Sequence, residues 1–367
     1  MRFSGFTLLL IFLLAACNRP ANVSPELGRY ARFFLITDSA GLRRVTVKAP
    51  YPGGTPVIYH LTDKAGGKKF TDKIAGNTVP VPVEKYAATS VTYLEMFKKL
   101  GVLDGLKGFT GTHFIADEEI RKRVEEGQIA ELGNDYFSDT ERLMRLHPEV
   151  IFVFSTGQDN KQYGFLKQYG IRPVYVAEWM ETHPLGRAEW IKFFGAFFQK
   201  DRQADSIFRH IETAYNRIKK EAAKHPERKP KVFQGGPYGD KWYVPGGKSW
   251  AAQLIKDAGG EYLIRSGETA GQLIAHEQAL MLLSEADIWL NPGTWQSLDE
   301  IREALPGVEK LKVFREGKIY SAYIKTGSAG KNEFFEKSVL HPDLVLEDLY
   351  RVFTGNEGEM TFFEKIK

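Results

Sequence analysis

The sequence predicts an α/β protein of two lobes joined by one long helix, preceded by a small β extension. Three observations carry that expectation. At 200–226, Ala204, Ile207, Phe208, Ile211, Tyr215, Ile218 and Ala222 recur every three or four residues and lay one apolar stripe along a helix that Pro226 ends. About 25 residues at ~1.5 Å each make a rod of roughly 37 Å, the width of a small domain. Strand and helix patterns alternate on both sides of this rod, as they do where helices cover a parallel sheet. Finally, 367 residues at 43% hydrophobic and 26% charged hold enough apolar material for two cores.

In chain order, Arg2, the apolar run Phe6–Leu14 and the small Ala15 and Ala16 read as a signal peptide over 1–16, too short for a comfortable membrane span. Leu14-Ala15-Ala16-Cys17 resembles the lipobox of bacterial lipoproteins, in which the cysteine becomes the acylated first residue. That resemblance implies an exported lipoprotein held on the periplasmic face of a bacterial membrane through Cys17. Cys17 is the sole cysteine, so no disulfide is available and packing must hold the fold. Loss of Met1–Ala16 removes Arg2 and no acid, lowering the formal charge from +4 to +3. So mild a charge, without a Lys/Arg-rich block, argues against nucleic acid.

A polar tether broken by Pro20 and Pro25 spans 17–29. The β-rich runs ARFFLITD, LRRVTVKAP and TPVIYHLTD predict a small antiparallel ribbon within an extension over 30–78. The first lobe, 79–199, opens on a Pro-punctuated strand at Val79–Val83. The helix TYLEMFKKLG follows, closed by Gly101, then a segment at Leu106–Phe109. Helices EEIRKRVEEG and DTERLMRL precede the apolar strand EVIFVFS, and helix FLKQYG precedes the strand RPVYVA. After the linking helix, the second lobe over 227–367 alternates again: strand Lys231–Gln234, helix KSWAAQLIKDAGG, strand EYLI, helix HEQALMLLSEA, strand DIWLN, helix SLDEIREAL and strand GKIYSAYI. The amphipathic helix HPDLVLEDLYRVFTG closes it. In a parallel sheet the ligand-facing loops follow the strands' C-terminal ends. These are Thr89–Tyr93, Thr110–His113, Ser155–Asp159 and Ala177–Glu181, then Gly235–Trp242, Asn291–Trp295 and Lys325–Glu333.

Enzyme signatures fail on their spacing. Gly246-Gly247-Lys248-Ser249 resembles the end of a phosphate-binding loop, but Trp242 stands where the first glycine is required. His276-Glu277 lacks the second histidine of a zinc protease, no nucleophile elbow occurs, and the eight histidines show no metal-ligand spacing. An exported hydrolase using Asp240 or His183 is the rival class.

Thr140-Glu141-Arg142-Leu143-Met144-Arg145-Leu146-His147-Pro148-Glu149-Val150-Ile151 is similar to a motif of the class III periplasmic substrate-binding proteins. So are Ser249 through Asp257-Ala258-Gly259-Gly260, Glu285-Ala286-Asp287-Ile288-Trp289, and His341-Pro342-Asp343-Leu344-Val345-Leu346-Glu347-Asp348-Leu349. These are the receptors of ABC importers for iron-siderophores, haem and vitamin B12, and the resemblance covers roughly Val79–Gly355. It implies two Rossmann-like lobes, no catalysis, no intrinsic cofactor or bound metal, and a monomer that delivers its cargo to a permease and its ATPase. An iron siderophore or haem is the first cargo it implies, with a corrinoid such as cobalamin as the alternative. It also implies one acidic docking residue per lobe, matched by Glu141 and Glu277, with Gln158 and Asp159 near an alternative position in the first lobe.

Lobes joined by one helix move little, so affinity must come from a preformed cleft with aromatic walls and a few polar groups. The ligand candidates in the predicted loops are Tyr93, Thr112, Trp179, Glu181, Arg187, Tyr238, Trp242, Trp295 and Lys325. Tyr243 and Phe334 belong to the same aromatic set, while Trp250 and Phe335 are expected in the core. Arg187 and Lys325 are cations suited to the anionic groups of a chelate. Glu178 either meets ligand or caps the next segment, and His113 is either a surface residue or an axial ligand to a chelated metal.

Overall fold

The computed structural model describes residues 26–39, 42–64, 77–133, 139–157, 160–225, 229–326, 330–356 and 358–367. The signal segment, Cys17, the tether to residue 25, Gln158, Asp159 and Pro226 lie outside the described residues.

Three antiparallel strands, Phe34–Ser39, Leu42–Val47 and Val57–Asp63, form the middle of the extension's sheet. Glu26–Leu27 adds antiparallel at one edge, and Asn77–Val81 adds parallel at the other. The strand expected to open the first lobe therefore closes the extension instead. Val79 and Val81 turn inward to join Val45, Val47 and Tyr59 in the core, and Pro80 sits on an edge strand, where its missing N–H costs little. The sheet's apolar face lies on the helix Trp190–Phe198, with Phe34 edge-on to Trp190 at 4.9 Å and Tyr59 edge-on to Phe197 at 5.9 Å. Two buried carboxylates fasten the entering chain. Glu189 accepts the N–H groups of Arg29, Tyr30 and Ala31, and Glu181 accepts those of Arg32 and Phe33.

The first lobe is a parallel sheet in the order Arg172–Tyr175, Val150–Val153, Tyr86–Ala88, Leu106–Phe109 and Ala130–Glu131. Val150–Val153 is buried at every position, as expected of a strand covered on both faces. The second lobe repeats the plan with Glu261–Tyr262, Lys231–Gln234, Ile288–Leu290 and Ile319–Ser321 in parallel, closed by antiparallel Glu364–Lys365. It also carries an antiparallel sheet of Gly236–Tyr238, Lys241–Pro245 and Gly271–Ala275, whose first hairpin begins within the segment Gly235–Trp242 expected to be loop.

The linking helix runs over Asp201–Ala222, 22 residues, short of Pro226. Its stripe of Ala204, Phe208, Ile211, Tyr215, Ile218 and Ala222 is buried, against the helix Trp190–Phe198 on one side and Pro342–Thr354 on the other. It does not join the lobes alone. A strap at 331–341 crosses from the second lobe to the first: Lys331 donates to the His113 carbonyl (2.6 Å), and Glu336 accepts the Ala116 and Asp117 N–H groups (2.8 and 3.3 Å). His341 Nε2 lies 2.9 Å from the Glu95 carboxylate.

Burial pushes the Glu336 carboxyl up to about 7, against the pull of its two N–H donors. The folded chain thus keeps a proton that the unfolded chain releases at ordinary carboxylate pH. Its contribution to stability is full at and below that pH and is lost as the pH rises to about 7. Glu336→Gln is expected to flatten this slope, worth roughly 2–3 kcal/mol at most by the free energy per pKa unit. Urea unfolding of both proteins across that range checks it.

Candidate ligand cleft

The strand Lys231–Gln234 ends at Gly235, held at φ 136°. A Cβ on Gly235 would lie 2.3 Å from the Tyr243 carbonyl oxygen, and one on Gly236 would lie 2.2 Å from that of Pro292. Only glycine lets the chain pass there, so the strand continues directly into the upright hairpin. Hairpin residues alternate faces: Trp242, Val244 and Ile274 enter the lobe's core, while Tyr238, Tyr243 and Leu273 face outward. Tyr238 is 69% exposed and Tyr243 52%.

That outward face walls a cavity of about 540 Å³, with Gln234, Asn291 and Tyr323 among its other lining residues. Asn291 also holds two strand ends together, its Oδ1 accepting the Ala322 N–H at 2.8 Å. Tyr323 stacks on Phe335 with ring centres 5.2 Å apart. Burial pushes the Tyr323 phenol up to about 12, so it is a neutral donor at any physiological pH. Among the described residues no charged side chain lines this cavity. On the first lobe, outside this cavity's lining, the half-buried Phe154 and Trp179 lie 5.4 Å apart and the exposed Phe114 lies against His113. Phe154 is fixed through its N–H to the Thr89 hydroxyl (2.9 Å).

At Gly271 enlargement acts on the wall directly, because a Cβ there would meet the Tyr243 hydroxyl at 1.8 Å. Gly271→Ala is expected to tip the Tyr243 ring and weaken ligand binding about tenfold, or ~1.4 kcal/mol. The melting temperature should move little, since Tyr243 is half exposed; titration calorimetry beside a thermal melt checks both.

Of the ligand candidates read from the sequence, Tyr238 lines this cavity. Several others lie outside this lining, some of them buried elsewhere. Tyr93 is fully buried in the first lobe's core, and Trp242 is equally buried, donating its indole N–H to His276 (2.9 Å). Trp295 packs edge-on to Trp289 beside the second core. Glu181 is 2% exposed and serves the extension, taking the Trp190 indole N–H as well as its two backbone donors. Thr112 gives its hydroxyl and N–H to Glu131, and Lys325 donates to the Met360 carbonyl.

Arg187 is buried across the lobe junction, 4.7 Å from the Trp250 ring and 4.0 Å from the Glu178 carboxylate. Burial pushes Glu178 up and Arg187 down, each partly offset by the other. Conversely, Phe335, expected in the core, is 53% exposed. Leu273 and Tyr323 were missed. The signal for Leu273 was the phase of the alternation in the hairpin and its third strand; Tyr323 lies just past a strand end and had none.

Among the described residues no group of three or more His, Cys, Asp or Glu side chains is placed to hold a metal ion, and no helix is long and apolar enough to cross a membrane. Two parallel α/β lobes joined by a long helix, with an aromatic cavity at the strand ends, define the architecture of a two-lobed solute-binding protein. Residues 87–323 match the family described as periplasmic binding protein, and the chain belongs to it.

Its curated relatives include two lipoproteins of Methanocaldococcus jannaschii. One is 27% identical over 341 residues, 86% of this chain and 79% of that protein. The other is 21% identical over 383 residues, 95% and 90% of the two chains. Among solved structures, an ABC-type Fe3+-hydroxamate transport system protein from Saccharomonospora viridis superposes with a TM-score of 0.58 at 16% identity, covering 84% of this chain and 98% of that one. IsdE of S. aureus, complexed with heme, does so with 0.54 at 20% identity, covering 73% and 98%. The expected α/β architecture of two lobes is borne out by the sheets and by these likenesses.

Proposed function

We propose that this chain is the lipid-anchored receptor of an ABC importer, capturing an iron complex, siderophore or haem, and handing it to the permease and its ATPase. The observation that carries the reading is the preformed aromatic cavity of about 540 Å³ at the strand ends. A flat or apolar chelate buries a large area against Tyr238, Tyr243 and Tyr323 without demanding a large lobe motion. Structural neighbours described as hydroxamate and heme proteins support the class of cargo, and relatives named lipoproteins support an anchor at Cys17 on the periplasmic face of the membrane. A corrinoid is the second reading, favoured by the same broad apolar wall, whose ring faces suit a corrin as well as a porphyrin. Purified protein should bind a ferric siderophore, haem or cobalamin in a one-to-one titration; no response to all three contradicts the reading.

Docking to the permease falls to Glu141 and Glu277. Glu141 is 80% exposed in the first turn of the helix Thr140–Leu146, with only a loose contact to Arg145 (3.7 Å). Glu277 is exposed in the first turn of the helix His276–Glu285. One acid on each lobe sets the register of a monomer against basic residues of a partner. Reversing both charges to lysine is expected to abolish uptake in cells while the purified protein keeps its ligand affinity. A loss of affinity instead would place these residues in the cleft.

A further inference from the structure

We infer that the cleft selects an electrically neutral chelate with an apolar periphery over an anionic one. This rests on the receptor reading and adds the charge class of the cargo. The loops at the strand ends, 89–93, 110–114, 154–157, 176–181, 235–242, 291–297 and 322–333, contain no arginine, and their only basic residues are His113, Lys241, Lys325 and Lys331.

The structure commits most of these elsewhere. Lys325 donates to the Met360 carbonyl and Lys331 to the His113 carbonyl, contacts that hold each ammonium outside the cavity lining while leaving it charged. His113 lays its ring on Phe114 at 4.0 Å. Lys241, the cross-strand partner of Tyr238 at the hairpin tip, is exposed on the outward face beyond the cavity lining. The Arg187 guanidinium at the junction is buried against Trp250, 4.0 Å from the Glu178 carboxylate, and is outside the cavity lining. What the cavity offers is phenol, amide and backbone groups.

An anion seated against this wall sheds part of its hydration and finds no opposite charge among the lining side chains, a cost that grows with each charge buried. A neutral chelate loses far less solvation and keeps the full benefit of the aromatic wall. The same shape thus accepts one cargo and rejects another of similar size, and charge decides.

The test is a pair of calorimetric titrations of the full chain, one with a neutral ferric tris-hydroxamate and one with a trianionic ferric tris-catecholate, with cobalamin as a further neutral probe. At least one neutral probe should bind about a hundredfold or more tighter than the tris-catecholate, measured at one ionic strength. Gln234→Lys, which places a cation on the cavity floor, should narrow that gap by raising affinity for the catecholate. Equal or tighter binding of the tris-catecholate by the wild-type chain overturns the inference and leaves the receptor reading standing. Silence towards all three probes and towards haem, by contrast, contradicts the receptor reading itself; binding of haem alone, with its two propionates, overturns the inference and leaves that reading standing.

Discussion

Replacing Glu181 with alanine is expected to lower the free energy of unfolding by about 3–5 kcal/mol and to leave ligand affinity unchanged. Its carboxylate sits at the seam between the extension and the first lobe, where Oε1 accepts Arg32 N–H (2.9 Å), Phe33 N–H (3.0 Å) and the Trp190 indole N–H (3.1 Å). Truncation orphans these donors in a dry site, and each buried donor left unpaired costs about 1–3 kcal/mol. Glu189 holds the three preceding N–H groups in the same way, so the extension is fastened by a row of backbone donors on two acids. Urea denaturation of wild type and variant reads the effect. A side chain that touched ligand would show the opposite pattern, an unmoved midpoint and a lost affinity.

Trp242 and Tyr243 are neighbours in one strand and should respond oppositely to truncation. Tyr243→Ala removes one of the three tyrosines that line the cavity and is expected to weaken ligand binding by about 10²–10³-fold, the range of a central aromatic contact. Its ring is half exposed, so stability should shift by less than about 1 kcal/mol. Trp242→Ala opens a hole beside Phe233 and Trp289 and strips His276 of its partner, at a cost of about 3–5 kcal/mol in stability. Measuring affinity and unfolding for both variants separates wall from core in one experiment. Two variants that lose affinity alike and stay equally stable would contradict the assignment of faces.

This pair also shows where the sequence was legible. Patterns that repeat with the backbone's own period were readable, such as the stripe from Ala204 to Ala222 and the all-apolar strand Val150–Val153. Residue type alone was not: an indole or phenol signals burial against something, and only the strand phase says whether that is core or ligand. Gly239 at the hairpin turn and the alternation after it carried the phase of Tyr243. Glu181, Arg187 and Lys325 could not be placed from the chain at all. Their partners, Arg32 and Phe33, Trp250, and Met360, lie far away in sequence, and no spacing rule connects a carboxylate to a backbone segment about 150 residues before it. The strap at 331–341 is hidden for the same reason, since its carboxylate and lysine bind backbone groups that every sequence possesses.

The central claim is that the cargo sits against the hairpin wall of the second lobe. Crystals grown with a neutral ferric tris-hydroxamate and measured at the iron absorption edge test it directly. One anomalous peak is predicted in the cavity bounded by Tyr238, Tyr243, Asn291 and Tyr323. No peak there, or a peak only in the outer groove lined by Arg29, Arg43 and Lys192, would contradict it.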